Sequence, residues 1–199
     1  MEASEFRRVM GQFATGVAIV TTGGEDGPYG FTVNSLTAVS LDPLLVLVCV
    51  ANGGQAHRRM TCADRFGINI LSADQQELSA RFASAATSGC DRLDGVAHRA
   101  GIGGVPLIAG TLAHLECEVT DRFEAGDHTI VLGRVERGEV TAPEKAPLLY
   151  SAGATALRPS RANGRQGVQE PPPPLAVPAR VRSAPLRPRS ETLRFPWGG

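Results

Sequence analysis

GFTVNSLTAVSLDPLLVLVCV, residues 30–50, joins a polar, small-residue stretch to an apolar one through Asp42 and Pro43. Alternation over 31–41 places Phe31, Val33, Val39 and Leu41 on one strand face and Thr32, Asn34, Leu36, Ala38 and Ser40 on the other. The first face suits a core. The second is small and hydroxyl-rich, a shelf able to hold a flat polar ligand. Residues 44–50 are apolar except for Cys49, which predicts a strand buried on both sides.

Outward from this run the pattern stays mixed. Upstream, Phe6, Val9, Met10 and Phe13 recur at helical spacing and Gly16 closes the stretch, predicting a short helix over 5–14 packed on a sheet. Residues 17–22 are β-branched and lead through GGEDG into the strand starting near Tyr29, which reads as a hairpin. Downstream, NGGQ breaks the chain, a helical turn is expected over 57–62 and a strand over 66–71, and Ser72 is a candidate N-cap for a helix over 73–83. Residues 84–104 read mostly as loop, long enough for a lid, and GIGGVP at 101–106 lacks the flanking strand and helix of a dinucleotide loop. Further strands are expected over 110–123, 128–139 and 148–150, the first two joined by the turn EAGDH. Many antiparallel strands with a few short helices, and no strand–helix alternation, predict an α+β, mainly β, barrel-like sheet.

At 199 residues, 42% hydrophobic and 20% charged, the chain has the composition of one globular domain. MEASEFRRVM has no apolar segment of the kind a secretory signal carries, and no stretch is long enough to span a bilayer, so a cytoplasmic location is expected. Cys49, Cys62, Cys90 and Cys117 are too scattered for a zinc site or a disulfide framework. The zero net charge divides unevenly: twelve basic and eighteen acidic residues up to Leu157, then eight arginines against Glu170 and Glu191. An acidic body offers no broad surface for nucleic acid. Residues 158–199, with four consecutive prolines at 171–174 and no periodicity, are expected to form a disordered or extended tail outside a domain of residues 1–157.

Two motifs carry chemistry. Thr32, Asn34, Ser35, Leu36, Thr37, Val39, Ser40, Asp42 and Pro43 match the signature T-x-N-S-L-T-x-V-S-x-D-P, and Gly126, Asp127 and His128 followed by TIVLGRV at 129–135 match a second. With FRRVMGQFATGVAIVTT at 6–22, FGINILS at 66–72, the Phe82–Ala83 pair and GVPLIAGTLAHLECEV at 104–119, residues 5–151 resemble the flavin reductase family, the reductase component of two-component flavin-dependent monooxygenases. The resemblance implies an FMN-binding split β-barrel that is normally a homodimer, uses FMN or FAD with NADH or NADPH, and passes reduced flavin to a partner monooxygenase. It also implies a flavin site at Thr32, Val33, Asn34, Ser35, Leu36, Thr37 and Ser40, with Val50, Ala51 and Asn52 bordering the ring or ribityl chain. His57 is placed on the phosphate side, Phe82 beside the site, and His128 near flavin or nicotinamide as the one catalytic candidate.

Each residue also has a plainer reading. Hydroxyls on a half-buried strand often bond only to neighbouring backbone, and a turn histidine beside an aspartate often does the same. A metal site at His114, Glu116 and Glu118 is rejected, because alternation turns Leu115, Cys117 and Val119 inward and leaves the polar three on a solvated or subunit-contact face. The alternatives to a reductase are a non-catalytic FMN-binding barrel and a flavoprotein that retains its flavin and reduces a small acceptor. One departure stands out. PLLYSAG runs into ATALRPSRANG without the basic and aromatic ending usual in the family, so barrel closure is expected to be weakened.

Overall fold

The computed structural model describes residues 1–24, 27–84, 91–151 and 154–155. The predicted tail at 158–199 lies outside the described residues, as do the acidic pair at 25–26, Cys90 and the middle of the expected lid. In chain order come α1 (Ala3–Met10), β1 (Thr15–Gly16), β2 (Ala18–Thr22), β3 (Tyr29–Val33), β4 (Thr37–Leu41), β5 (Leu44–Ala51), α2 (Gln55–Cys62) and β6 (Arg65–Ile70). They are followed by α3 (Gln76–Ala83), β7 (His98–Ala100), β8 (Pro106–Ile108), β9 (Ala113–Ala125), β10 (His128–Val140), β11 (Leu149–Ser151) and β12 (Ala154–Thr155).

Seven antiparallel strands form one sheet in the order β3-β2-β6-β9-β10-β5-β4. The expected continuous strand over 31–41 is therefore broken: β3 and β4 sit on opposite edges, separated in sequence only by residues 34–36. Laid flat, seven strands at the usual spacing are about 29 Å across, whereas the four Cα steps from Val33 to Thr37 reach at most about 15 Å. The sheet must roll until its edges approach, giving a barrel left open between β3 and the β4–β5 hairpin.

Core packing follows the pleat. Ala18 and Val20 of β2 point into the barrel with Tyr29, Phe31, Val46, Val48, Phe66, Ile68 and Val131. Val17 and Ile19 point the other way, against Leu71, Phe82, Leu93, Ile108 and Leu148. β5 differs from expectation. Val46, Val48 and Val50 are buried, but Leu45, Leu47 and Cys49 on its other face are only half-buried and Leu44 is exposed. The predicted first helix exists, yet Phe6, Val9, Met10 and Phe13 are exposed rather than packed on this chain's sheet.

The second face of β9 corrects another expectation. His114 and Glu116 are buried, not solvated, because β7, β8 and the loop between them cover that side. His114 Nε2 lies 2.8 Å from Thr111 Oγ1 and 2.7 Å from the Ile108 carbonyl. Glu116 accepts the Ile102 backbone N–H and has Arg137 3.8 Å away. Asn69 completes the attachment: its amide donates to the Ile19 carbonyl at 3.1 Å and its oxygen accepts the Ile108 N–H at 2.7 Å.

The chain end is also better tied than its sequence suggests. β11 pairs with β1 through Thr15↔Tyr150 and Gly16↔Leu149, and β12 pairs with β11. The carbonyl of buried Leu148 accepts the Val17 N–H at 3.1 Å and its N–H donates to the Leu71 carbonyl at 2.9 Å. Because these ties use backbone groups, the departure from the usual side-chain pattern leaves them intact.

Close packing at Gly133 in β10 gives a stability test. A Cβ there would lie 2.5 Å from Cζ of Phe66, which is wholly buried. Gly133→Ala is expected to lose about 1–3 kcal/mol of folding free energy, the usual cost of overpacking. Urea unfolding monitored by circular dichroism measures it, and an unchanged midpoint would refute this packing.

Candidate flavin site

The opening in the barrel is a cleft of ≈ 620 Å³ lined by β3 and the loop after it, by the end of β5, by the start of α2 and by Phe82, Ala83, Arg92 and His128. β4 ends its pairing with β5 at Thr37↔Leu47, so beyond Leu47 that edge of β5 lacks a strand partner. Ser35 substitutes for one. Its hydroxyl accepts the Cys49 N–H at 3.1 Å and donates to the Cys49 carbonyl at 3.0 Å, continuing the ladder with a side chain. The cleft begins where this stitch keeps the two walls together without closing them.

Eight of the thirteen predicted site residues line the cleft: Thr32, Val33, Asn34, Ser35, Val50, Ala51, Phe82 and His128. The other five do not. Leu36 packs against the core, Thr37 lies on β4, and Ser40 Oγ accepts the Asp42 N–H at 3.2 Å within the β4–β5 turn. Asn52 and His57 stand one layer behind. Thr129 Oγ1 donates to Asn52 Oδ1 at 2.8 Å, so its lone pair is left to accept from His57 Nε2 at 3.0 Å. Asn52 Nδ2 in turn donates to the Gly126 carbonyl at 3.3 Å, fixing the turn that carries His128.

The hydroxyl shelf is partly committed to structure. Thr32 Oγ1 donates to the Ser79 carbonyl at 2.7 Å, holding α3 against β3, and Ser35 is used as described. The polar resources left for a ligand are therefore largely backbone. α2 starts at Gly54 with no side-chain cap, and Gly54, Gln55 and Ala56 border the cleft, so first-turn N–H groups are available to an anion.

Arg92 supplies a positive charge and His128 an imidazole. Arg92, buried among Tyr29, Phe82 and the backbone, donates to the Gly30 and Phe82 carbonyls at 3.2 and 3.1 Å and to the Ser84 carbonyl. Its guanidinium carbon lies 5.8 Å from the Tyr29 ring centroid, while Nε is buried with no hydrogen-bond partner among the described residues. His128 Nδ1 lies 2.7 Å from Asp127 Oδ1, which leaves Nε2 free to serve the cleft. That hydrogen bond, reinforced by the His128 charge, holds the Asp127 carboxyl below its ordinary value. Sequence reasoning missed Arg92 because it sits in a small-residue loop with no motif around it. The α2 start was signalled by the NGG break, but its direction was not.

One cysteine borders the site and another lies in the core. Cys49 borders the cleft and burial raises its thiol pKa. Cys117 lies in the barrel core, where burial, followed by the neighbouring Glu116 charge, pushes its thiol up to about 12. A resident phosphorylated planar group fits this geometry: an uncapped helix start for the phosphate, an orphaned Arg92 Nε, and flat walls of β3 and β5 backbone.

A rolled antiparallel barrel with an anion-accepting helix start at its opening defines a split barrel for a nucleotide-type cofactor. The chain belongs to the flavin reductase family: residues 10–156 match the flavin reductase like domain. It is 44% identical to an FMN reductase (NADH) of Agrobacterium fabrum over 149 residues, covering 75% of this chain and 82% of that one. It is 39% identical to the reductase subunit HsaB of a flavin-dependent monooxygenase of Mycobacterium tuberculosis, covering 74% and 78%. The fold matches a Streptomyces globisporus NADH:FAD oxidoreductase solved with NAD and FAD fragments at a TM-score of 0.74 and 39% identity, covering 81% of this chain and 96% of that one.

The Ser35 stitch is testable directly. Ser35→Ala leaves the Cys49 N–H and carbonyl without their partner, and a loss of about 1–2 kcal/mol of stability is expected for the two bonds. Thermal and urea denaturation of the variant would show it, and full wild-type stability would refute the stitch.

Proposed function

We propose that this chain is an NAD(P)H-dependent flavin reductase that supplies reduced flavin to a partner flavin-dependent monooxygenase. The observation that carries the reading is the cleft in the barrel opening, where the family's first motif, the start of α2, Arg92 and His128 converge. Hydride passes from nicotinamide C4 to N5 of FMN or FAD, chemistry that requires two aligned rings and no protein nucleophile.

The chain's own groups position and polarise. Thr32, Val33, Asn34, Ser35, Val50, Ala51 and Phe82 form the slot for the ring, their backbone more than their hydroxyls meeting its polar edge. Leu36, Thr37 and Ser40 act from the β4 side by holding the shape of that segment. Asn52 and His57 fix the turn at Gly126 through Thr129. Gln55 and Ala56 present N–H groups to the phosphate. His128, oriented by Asp127, serves as the catalytic group that stabilises negative charge on the reduced ring.

A homodimer is part of the proposal. Phe6 and Phe13 of the N-terminal segment are 56% and 68% exposed, and Leu41 beside the β4–β5 turn is 79% exposed, too much apolar surface to leave in water without a use. A second copy of the chain covers these faces. The working domain is residues 1–157, and the compartment is the cytoplasm. Among the described residues, no helix is long and apolar enough to cross a membrane.

Anaerobic mixing of the full chain with FMN or FAD and NADH or NADPH is expected to bleach the flavin's visible band catalytically, and to do so equally after deletion of residues 158–199. Flavin affinity near micromolar, roughly 8 kcal/mol, suits a carrier. Absence of bleaching with every pair would sink the reductase reading, and flavin surviving dialysis would sink the carrier role.

The dimer is checked by sedimentation velocity. Wild type is expected at twice the chain mass and the Phe6→Asp/Leu41→Asp double variant at the chain mass. A monomeric wild type at micromolar concentration would refute the assembly.

A further inference from the structure

One wall of the cleft is the end of α3, where Phe82 and Ala83 line it. A helix leaves its last carbonyls without partners inside itself. α3 gives way at Ser84 to extended backbone, and Arg92 reaches back from a single helical turn over Asp91–Leu93 to cover the Phe82 and Ser84 carbonyls. A cation is favoured there by the helix dipole. Arg92 also crosses to the sheet. Its Nη1 donates to the Gly30 carbonyl of β3 at 3.2 Å and to the Phe82 carbonyl at 3.1 Å, so one nitrogen joins strand to helix. The Phe82 ring lies directly on Gly30, where a Cβ would come 2.5 Å from its Cε1. From the same helix, Arg81 donates to the Asp94 carbonyl at 2.6 Å and fastens α3 to the stretch after Arg92.

Packing alone does not account for this residue. Arg92 is only 7% exposed, and its partners among the described residues are three carbonyls and the Tyr29 ring, with no carboxylate. A buried charge is costly even when paired, and an apolar side chain of similar volume serves stability as well or better. Nε, buried with no partner, adds to that cost. What a guanidinium supplies that an apolar chain does not is a rigid planar fork, which holds several acceptors at fixed positions. Tyr29 refers the clamp to a second wall. Arg59 of α2 lies 5.6 Å from the Tyr29 ring centroid and Arg92 lies 5.8 Å from it. Arg59 comes from a different side of α2, where Gln55, Arg58, Arg59 and Cys62 line a second cavity of ≈ 850 Å³.

We infer that Arg92 is a positioning residue: by bridging the Gly30, Phe82 and Ser84 carbonyls it fixes the Phe82–Ala83 wall against β3 and so sets the affinity of the cleft for flavin. The inference rests on the flavin reading of the cleft and adds a residue that acts through the wall. Thr32, which donates to the Ser79 carbonyl at 2.7 Å, holds the same helix one turn earlier, so the two bonds fix both the place and the tilt of the end of α3.

Flavin affinity reads the clamp, measured by titrating FMN and FAD into the full chain and following flavin fluorescence. Arg92→Ala is expected to raise the Kd about tenfold, the equivalent of one lost hydrogen bond to a charged group. Guanidinium chloride at millimolar concentration is expected to recover most of that loss, because the ion fits the space left by the side chain and meets the same carbonyls. Sodium chloride at the same concentration is expected to recover none. Guanidinium otherwise weakens a fold, so recovery separates a placed guanidinium from general destabilisation. Arg92→Lys keeps the charge without the planar fork, and its Kd is expected between those of wild type and Arg92→Ala. Should Arg92→Ala fail to fold, Arg92→Lys carries the test alone. Wild-type affinity in either variant, or an Arg92→Ala protein that guanidinium does not rescue, overturns the clamp. A wild type that binds neither flavin overturns the flavin reading and the clamp with it.

Discussion

The structure depends on how residues 34–36 connect two edges of one sheet. A chain that leaves β3 and must start β4 three residues later has no freedom to lie flat, so the seven strands curl. Curling alone would close the barrel. β4 stops pairing at Leu47, however, and the Ser35 hydroxyl takes over at Cys49 as a one-residue surrogate strand. A hydroxyl both accepts and donates but occupies far less width than a strand, so the walls are joined at one point and apart beside it. The cleft is the geometric remainder of that substitution.

α2 turns this opening into a charged site. Its first turn follows directly from β5 through a glycine pair, so its free N–H groups arrive at the mouth of the cleft without a side-chain cap competing for them. Its far end is satisfied differently. Arg122 of β9 donates to the Met60 and Ala63 carbonyls, placing a cation where the helix dipole is negative. The far end is thereby fixed, and the helix stands between two cavities with Gln55 lining both.

Much of the fold was legible because hydrophobic periodicity reports which residues face a core. β2, β6, β9 and β10, α3 and the β2–β3 hairpin fall near their expected ranges. Periodicity reports nothing about what lies across from a face. Hence alternation places Val39 and Leu41 on a core face, where they are exposed, and His114 and Glu116 on a solvated or subunit-contact face, where they are buried under β7 and β8. The site shows the same limit. Motif residues Thr32–Ser35 do border the cleft, but motif matching does not separate a hydroxyl that faces a ligand from one spent on Ser79 or Cys49. Arg92 joins the site through the fold alone, its partners Gly30, Phe82 and Ser84 coming from three separate stretches of sequence.

An acidic body that takes an anionic cofactor looks contradictory only while charge is counted over all of it. Up to Leu157 acids exceed bases, yet the carboxylates of Glu116, Glu118, Glu136 and Glu139 are drawn to the β9–β10 side, where Arg137, Arg134, Arg65 and Arg99 meet them. Glu116 is the only one of these buried, and it is satisfied by the Ile102 N–H as well as by Arg137. Arg58 and Arg92 remain beside the two cavities with no carboxylate bound to either among the described residues. Coulomb interactions act over a Debye length of about 8 Å at physiological ionic strength, so an incoming phosphate senses these arginines and the start of α2 before it senses the excess of acids elsewhere. Local pairing, more than net charge, sets the field at the opening.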